Sequence, residues 1–221
     1  MPDMADLSPV PRIINSVARE VLKPLGLAQR GRSRLWIDDH GWWLGVVEFP
    51  PPRTAGSGLH VGAMWLWHDV DHLAFHADAV RVSPERFRTE DQFTPLAVEL
   101  GRQAVASVTA LREKFPALPE VARYLTSRPV RRGLLWDSFD SGIAAALAGD
   151  PDTARDHFER ILREDPLAPW MAEAQRRARE LHMVAPDRDA VTASAARAVD
   201  SCRSKLGLDP AAPDQLNGPA R

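Results

Sequence analysis

An apolar side chain recurs every three or four residues between positions 13 and 22. This spacing places the side chains on one face of an amphipathic helix. The stripe consists of Ile13, Ile14, Val17, Val21 and Leu22. Ser8 is a suitable N-cap because its hydroxyl can accept a hydrogen bond from a free N–H group at a helix start. The pattern therefore predicts a helix over residues 8–24.

Short aromatic and β-branched runs follow, and they favour strands. Residues 34–38 and 42–49 predict two strands, with a turn signal between them and three prolines after the second. Residues 59–68 and 72–82 predict a further pair of strands, folded back on each other at Val70. Together the four runs predict an antiparallel meander.

The last pair of strands has a register that the sequence itself specifies. If His68 faces His72, side chains alternate so that one face is apolar and contains Trp65, Trp67 and Phe75. The opposite face then collects His60, Met64, His68, His72 and His76. A slip of one residue would mix the two sets, so we expect this register and a sheet with one buried face.

A second amphipathic helix is predicted over residues 94–115, with Thr94 as its cap and Pro95 in its first turn. A short helix is predicted over 119–126. Two helices beside a meander of about four strands give an α+β fold, in which the helices cover the Trp65 face. We assign this α+β domain to residues 1–127.

The composition changes after residue 134, where strand-forming residues become rare and Ala, Arg, Glu and Asp dominate. This indicates an all-helical domain over 134–206. Its first part, 138–166, predicts a helical hairpin in which Phe158 fills the seam and Gly142 allows close approach. Helices are also predicted over 168–183 and 187–206. The Ala-, Pro- and Gly-rich tail, 207–221, is predicted to be disordered.

The overall composition narrows the classes of partner and compartment. The net charge is −2, so no global field attracts nucleic acid, and the pattern contains no membrane-spanning apolar run. The first residues lack the basic and apolar segments of a signal peptide, and Cys202 is the single cysteine. We expect a cytoplasmic protein, and the arginine-rich composition is typical of a high-GC bacterial genome.

Two resemblances extend this interpretation. The stretches VLKPLGLAQRGRSRLW (21–36), LHVGAMWLW (59–67) and LREKF (111–115) resemble a bacterial domain-of-unknown-function family over about residues 10–115. This resemblance implies an α+β fold and no particular activity. The 138–166 segment resembles a single tetratricopeptide unit, which implies a packing motif, because several such units are needed to build a binding groove.

The tryptophans and arginines of the first domain are candidate contacts for a protein partner. Trp42 and Trp43 are adjacent on a predicted strand, so they point to opposite faces and one lies outside a single-faced core. Arg30, Arg32 and Arg34 form a basic run. A second run, Arg128, Arg131 and Arg132, would join it in an anion or acidic-partner site if the two met in space.

The histidine-rich hairpin is a candidate metal site. In the predicted register His68 and His72 form a cross-strand pair about 5 Å apart, close enough to share an ion with help from Asp69 or Asp71. His76 would lie about 13 Å from His72 along the strand and could not contribute. The alternative interpretation is a solvated hairpin end.

No nucleophile elbow, phosphate loop or dinucleotide fingerprint occurs in the sequence. We therefore expect a non-enzymatic protein-interaction module that needs no cofactor and binds neither nucleic acid nor membrane; the sequence leaves its oligomeric state open. The alternative is a metal-binding domain or metal-assisted hydrolase that uses His68 and His72. A small-ligand pocket beside Trp42 or Trp43 is a third hypothesis.

Overall fold

The computed structural model describes residues 9–51, 56–130, 135–211 and Leu216. In this part of the chain it contains α-helices and one sheet. The helices are α1 (Val10–Leu22), α2 (Glu90–Lys114), α3 (Leu118–Thr126), α4 (Leu135–Leu147), α5 (Pro151–Leu162), α6 (Pro169–Val184) and α7 (Arg188–Leu206). The strands are β1 (Ala28–Gln29), β2 (Leu35–Asp39), β3 (Trp43–Glu48), β4 (Gly56–Trp65) and β5 (Ala77–Arg86). The predicted α+β class is confirmed.

The sheet is an antiparallel meander of five strands in the order β1-β2-β3-β4-β5. The prediction of about four strands missed β1, which is only two residues long and pairs Ala28 with Ile37. In the centre of the sheet Trp43 lies opposite Trp65 and Val47 opposite Val61. These buried cross-strand pairs supply the packing that a meander needs.

The hairpin predicted around Val70 is wrong at its turn. β4 ends at Trp65, and Leu66–His68 form a 3-10 turn. β5 begins at Ala77, paired with Ala63 as the predicted alignment implies, but bulges shift the register so that Leu59 lies opposite Val82. Trp67 and His68 are consequently not strand residues, and His68 is buried rather than outward-facing.

The described residues form two compact units. The first comprises Met1–Trp65 and His72–Glu113, and the second comprises Leu66–Asp71 and Lys114–Arg221. The predicted domains, 1–127 and 134–206, place the boundary later in the chain and assign residues 66–71 to the α+β part. The predicted disordered tail lies largely outside the described residues, as do Ser8, Arg131 and Arg132.

The first unit has an aromatic core. The ring centroids of Trp42 and Trp65 lie 5.9 Å apart, and those of Trp43 and Trp65 lie 6.2 Å apart. Helix α2 packs on α1 at Gly101, where an added Cβ would lie 2.7 Å from Cγ1 of Val17. The two helices approach closely because this position has no side chain.

A buried ion-pair network also lies in the first unit. Arg112 donates from Nε and Nη2 to the carboxylate of Asp38, at 2.8 and 2.7 Å, and also to the carbonyl of Leu25. His40 Nε2 lies 2.8 Å from Oδ2 of Asp38, and its ring stacks on Trp43 at 4.0 Å. Burial alone would raise the pKa of Asp38, but the hydrogen bonds from His40 and Arg112 outweigh it and lower that pKa.

The second unit contains the predicted helical hairpin as α4 and α5. The Asp150 carboxylate accepts from the N–H of Thr153 and caps α5. At the seam, Gly142 faces Phe158, whose ring is fully buried. The following helices, α6 and α7, agree closely with the predicted ranges. None of the described helices is both long and apolar enough to cross a bilayer.

Candidate functional site

Residues 66–71, which follow β4 in the chain, are bound by three helices of the second unit. The segment begins with the 3-10 turn Leu66–His68. Asp69 then adopts a left-handed conformation, with φ of 57°, and its N–H donates to the carbonyl of Leu66. Aspartate tolerates this conformation better than most residues. The turn directs Trp67 and His68 to the same helix.

The carboxylate of Asp140, on α4, binds the side chains of both Trp67 and His68. His68 Nε2 lies 2.6 Å from its Oδ1, and Trp67 Nε1 donates to the same oxygen at 2.9 Å. The side chains of His68 and Asp140 are only 5% and 7% exposed. Buried polar groups of this kind require hydrogen-bond partners, and here the imidazole and the carboxylate are partners of each other. One carboxylate oxygen therefore fixes two consecutive residues of the segment.

Arg177, on α6, fixes the backbone of the same two residues. Its Nη1 donates to the carbonyl of His68 at 2.8 Å and its Nη2 to that of Trp67 at 2.5 Å. The guanidinium also lies 4.8 Å from the ring centroid of Phe139. Burial lowers the pKa of Arg177, and the negative charge of Asp69 opposes this shift.

Helix α7 binds the rest of the segment. Cys202 Sγ donates to the carbonyl of Val70 at 3.3 Å. Lys205 Nζ donates to both the carbonyl and the carboxylate of Asp69, at 3.1 and 2.8 Å. We call the four helix residues Asp140, Arg177, Cys202 and Lys205 the 66–71 clamp. Every one of residues 67–70 thus has a polar partner on a helix.

The chemistry of the clamp favours holding a segment over catalysis. An Asp–His pair can activate a nucleophile that lies beside the histidine. Ser141, next to Asp140 in α4, directs its hydroxyl toward the carbonyls of Leu125 and Asp137, at 3.1 and 2.9 Å. Cys202 is buried, which raises its pKa, and a thiol in that state is a poor nucleophile.

An aromatic series extends from the clamp to the surface. The ring of Trp136, on α4, lies 4.8 Å from that of His68 and 6.2 Å from that of Trp170, on α6. Trp136 is half-buried. Trp170 is 47% exposed, and the neighbouring Leu167 is 87% exposed. Trp170 is therefore an indole held from one side and open on the other.

A cavity of about 200 Å³ lies against the clamp within the second unit. Arg177 lines it from α6, and Ser194 and Arg197 line it from α7. Asp69 and Glu180 are also at its wall. The remaining lining residues are apolar.

The structure corrects the predicted partner contacts of the first unit. Trp42 and Trp43 are 1% and 0% exposed, so the prediction that one indole lies outside the core is wrong. Trp42 precedes the strand, which begins at Trp43, and so the alternation of strand side chains does not apply to it. Neither indole offers surface to a partner or a small ligand.

Only some arginines of the two predicted basic runs are accessible enough to contact a partner. Arg32 is exposed, whereas Arg30 and Arg34 are half-buried. Arg34 donates to the carbonyl of Gly56 at 3.3 Å, and burial lowers its pKa. Arg128, from the second run, lies over the ring of Tyr124 at 5.5 Å.

The cross-strand pair on which the metal hypothesis depends is not formed. His68 lies beyond the end of β4 and is bound to Asp140, whereas Asp71 and His72 are exposed and precede β5. Among the described residues, no three or more His, Cys, Asp or Glu side chains form a group that could hold a metal ion. The prediction of His68, His72 and Asp71 as ligands therefore has lost its geometric basis.

Sequence reasoning missed the residues that the structure brings together here. Asp140 lies near the predicted start of a helix, where carboxylates are common, so it carried no separate signal. Arg177 is one of several arginines on α6, and Trp170 carried no separate signal. Only the density of Trp and His around position 67 indicated that this stretch was exceptional.

Comparisons with protein-family models, with curated proteins and with solved structures find no match to this chain. The functional interpretation therefore depends on the geometry of the second unit. The resemblances to a bacterial family and to a tetratricopeptide unit stay predictions.

Proposed function

We propose that the protein is a non-enzymatic interaction module whose second unit binds a protein partner through Trp170. One observation carries the proposal: Trp170 is 47% exposed although it stacks on Trp136. Tryptophan is enriched among the residues that dominate binding energy at protein interfaces. An indole already held on one face loses little conformational freedom when a partner covers the other.

Leu167 is a second exposed apolar side chain, close to Trp170 in the sequence. It is 87% exposed and precedes α6 by two residues. A single exposed leucine needs no explanation, but one that lies three residues before an exposed tryptophan adds a second candidate apolar contact. We call Leu167 and Trp170 the α6 surface.

The charges that follow on α6 are paired within the helix. Arg176 donates to Glu173 at 2.8 and 2.5 Å and to Glu180 at 2.6 Å. These three side chains carry a net charge of −1 and already bind one another within the helix. A partner that recognises the α6 surface therefore does so mainly through apolar contact. We therefore propose a partner segment that presents an apolar side chain to Trp170, with affinity that changes little with salt.

The remaining features of the second unit are consistent with this role. The clamp fixes residues 66–71, and through His68 and Trp136 it also supports the indole of Trp170 from behind. A rigid support of this kind is what an interface anchor needs. The proposal thus assigns the clamp a positioning role rather than a catalytic one.

Site-specific photo-crosslinking followed by a binding measurement tests the proposal. A photo-reactive phenylalanine analogue at position 167 should capture a defined partner in cells. The same analogue at position 98, which is 54% exposed on α2, is the matched control and should not capture it. Equal capture at both positions would contradict the proposal.

The captured partner is then titrated against the purified full chain. Trp170→Ala should weaken binding by about 2 kcal/mol, roughly thirtyfold, as expected for an interface anchor. Val98→Ala should leave the affinity unchanged. A partner that binds both variants equally well would show that the α6 surface is not the interface.

A further inference from the structure

We infer that the second unit binds a small organic anion, a carboxylate or a phosphate ester, in the cavity between α6 and α7 that contains Arg177 and Arg197. This inference is independent of the proposed function, because it concerns a different surface and a different class of ligand. It depends on the size of the cavity, the charges at its wall and the fixed position of one guanidinium.

The cavity wall carries two carboxylates and two guanidiniums, which differ in whether they are ion-paired. Asp69 is bound to Lys205 at 2.8 Å, and Glu180 is bound to Arg176 at 2.6 Å. Arg177 and Arg197, by contrast, make no ion pair within 4.0 Å to any residue that the structure describes. Both carboxylates thus bind cations outside the cavity wall, so the two guanidiniums are the charged groups at the wall that are left for a ligand.

The guanidinium of Arg177 is held in one orientation and still has N–H groups that can bind an anion. Two of its N–H groups donate to the carbonyls of Trp67 and His68, and its Cζ lies 4.8 Å from the ring centroid of Phe139. A guanidinium has five N–H donors, so three are left for a ligand. A donor fixed in this way binds an anion at low entropic cost.

Helix α7 presents a second donor group on the same side of the cavity. Ser194 and Arg197 are three residues apart, so they lie on one face of the helix. A hydroxyl and a guanidinium at this spacing can bind two oxygens of one carboxylate or phosphate. Arg177 from α6 would bind the anion from the opposite helix.

The volume and the other walls restrict the rest of the ligand. The cavity holds about 200 Å³, below the roughly 300–1,000 Å³ typical of pockets for drug-sized ligands. Its remaining walls are apolar side chains of α4, α6 and α7. The ligand is therefore a small molecule with one anionic group and a compact apolar body, and not a nucleotide.

Isothermal titration calorimetry on the full chain, at constant ionic strength balanced with chloride, tests the inference. Acetate, inorganic phosphate and phenyl phosphate are the probes. We expect saturable binding in the millimolar range or tighter, with phenyl phosphate tightest because its ring contacts the apolar walls. Comparison of acetate with phosphate distinguishes a carboxylate site from a phosphate site.

Two charge-matched variants separate a site from general electrostatic attraction. Arg197→Gln should weaken the tightest probe by about tenfold or more, since it removes hydrogen bonds to a charged group. Arg179→Gln removes an exposed arginine of α6 outside the cavity and should not change binding. Amide chemical shifts should move near Ser194 and Arg177 only. No saturable binding by any probe, or equal losses in both variants, would overturn the inference.

Discussion

His68 and Asp140 are 72 positions apart in the chain, yet His68 Nε2 lies 2.6 Å from Oδ1 of Asp140 and both side chains are buried. Trp67 donates to the same oxygen. The pair therefore joins a segment that follows a strand to a helix far along the chain. Its effect on stability can be measured separately from any function.

Asp140→Ala should destabilise the protein by about 3 kcal/mol. The substitution leaves two buried groups, Trp67 Nε1 and His68 Nε2, without their acceptor, and removal of one member of a buried pair is strongly destabilising. Urea denaturation followed by tryptophan fluorescence and circular dichroism measures this change in the free energy of unfolding.

Asp200→Ala is the matched control, because Asp200 is an exposed carboxylate on α7. It should change the free energy of unfolding by no more than about 0.5 kcal/mol. If the two alanine variants were equally stable, the buried network around Asp140 would not contribute to folding as the geometry indicates.

The error in the predicted hairpin has the same physical origin as this network. The apolar, aromatic run continues from Trp65 through Leu66 to Trp67, and a local pattern of this kind favours an uninterrupted strand. The 3-10 turn at 66–68 is stabilised instead by Asp140 and Arg177, which are distant in sequence. No local rule contains those partners, so tertiary contacts override the pattern.

Elements with strong local signals were predicted well. Helices α4 and α5 form the predicted hairpin, and α3, α6 and α7 match the predicted ranges to within one or two residues. Helix α2 begins earlier than expected because Thr89, rather than Thr94, accepts from an N–H of the first turn. The α+β class was therefore accessible from the sequence, whereas the site was not.

The buried carboxylate of Asp38 should make the stability of the first unit depend on pH. The bonds from His40 and Arg112 lower its pKa in the folded state against the raising effect of burial. Because the pKa of Asp38 is lower in the folded state, the ionised carboxylate stabilises the fold at pH values above its unfolded-state pKa of about 3.9. This stabilisation is lost as the pH falls toward the folded-state pKa. The stabilisation by Asp38 should therefore be complete at pH 6 and decline below about pH 4.

Comparison with Asp38→Asn isolates this contribution from that of the other carboxylates. The difference in unfolding free energy between the original protein and the variant should be largest near pH 6 and should shrink below about pH 4. Urea midpoints at several pH values provide the measurement. A difference that stayed constant across this range would show that Asp38 does not titrate with a lowered pKa.

Gly142→Ala should destabilise the α4–α5 hairpin despite the higher helix propensity of alanine. The added Cβ would lie 2.6 Å from Cε1 and 2.9 Å from Cδ1 of Phe158, a ring with no exposed surface. Overpacking of a core costs about 1–3 kcal/mol, whereas the gain in propensity is about 1 kcal/mol. We expect a net loss of up to about 2 kcal/mol in thermal or urea denaturation.

A double-mutant cycle with Phe158→Leu checks the cause of that loss. The leucine makes room for the new methyl group, so Gly142→Ala should cost less in its presence than in the original protein. Equal costs in both backgrounds would mean that the ring of Phe158 does not limit the approach of the two helices.

Cys202 provides a chemical probe of the 66–71 clamp, because it is the single cysteine and its Sγ donates to the carbonyl of Val70. Burial raises the pKa of the thiol, and the thiolate is the reactive species. Disulfide exchange with a coloured reagent at pH 8 should be at least roughly a hundredfold slower in the native protein than in urea. Reaction then requires local opening, at a free-energy cost of about 3 kcal/mol or more.

Lys205→Ala should accelerate this labelling about two- to fivefold, because it removes the hydrogen bonds that hold Asp69 beside Cys202. A partly exposed ion pair of this kind contributes up to about 1 kcal/mol to stability. Lys23→Ala, an exposed lysine of the first unit, is the control and should leave the rate unchanged. Rapid labelling of the native protein would show that the 66–71 clamp does not protect Cys202. Rapid labelling in both lysine variants would instead assign the effect to lost charge rather than to the contact with Asp69.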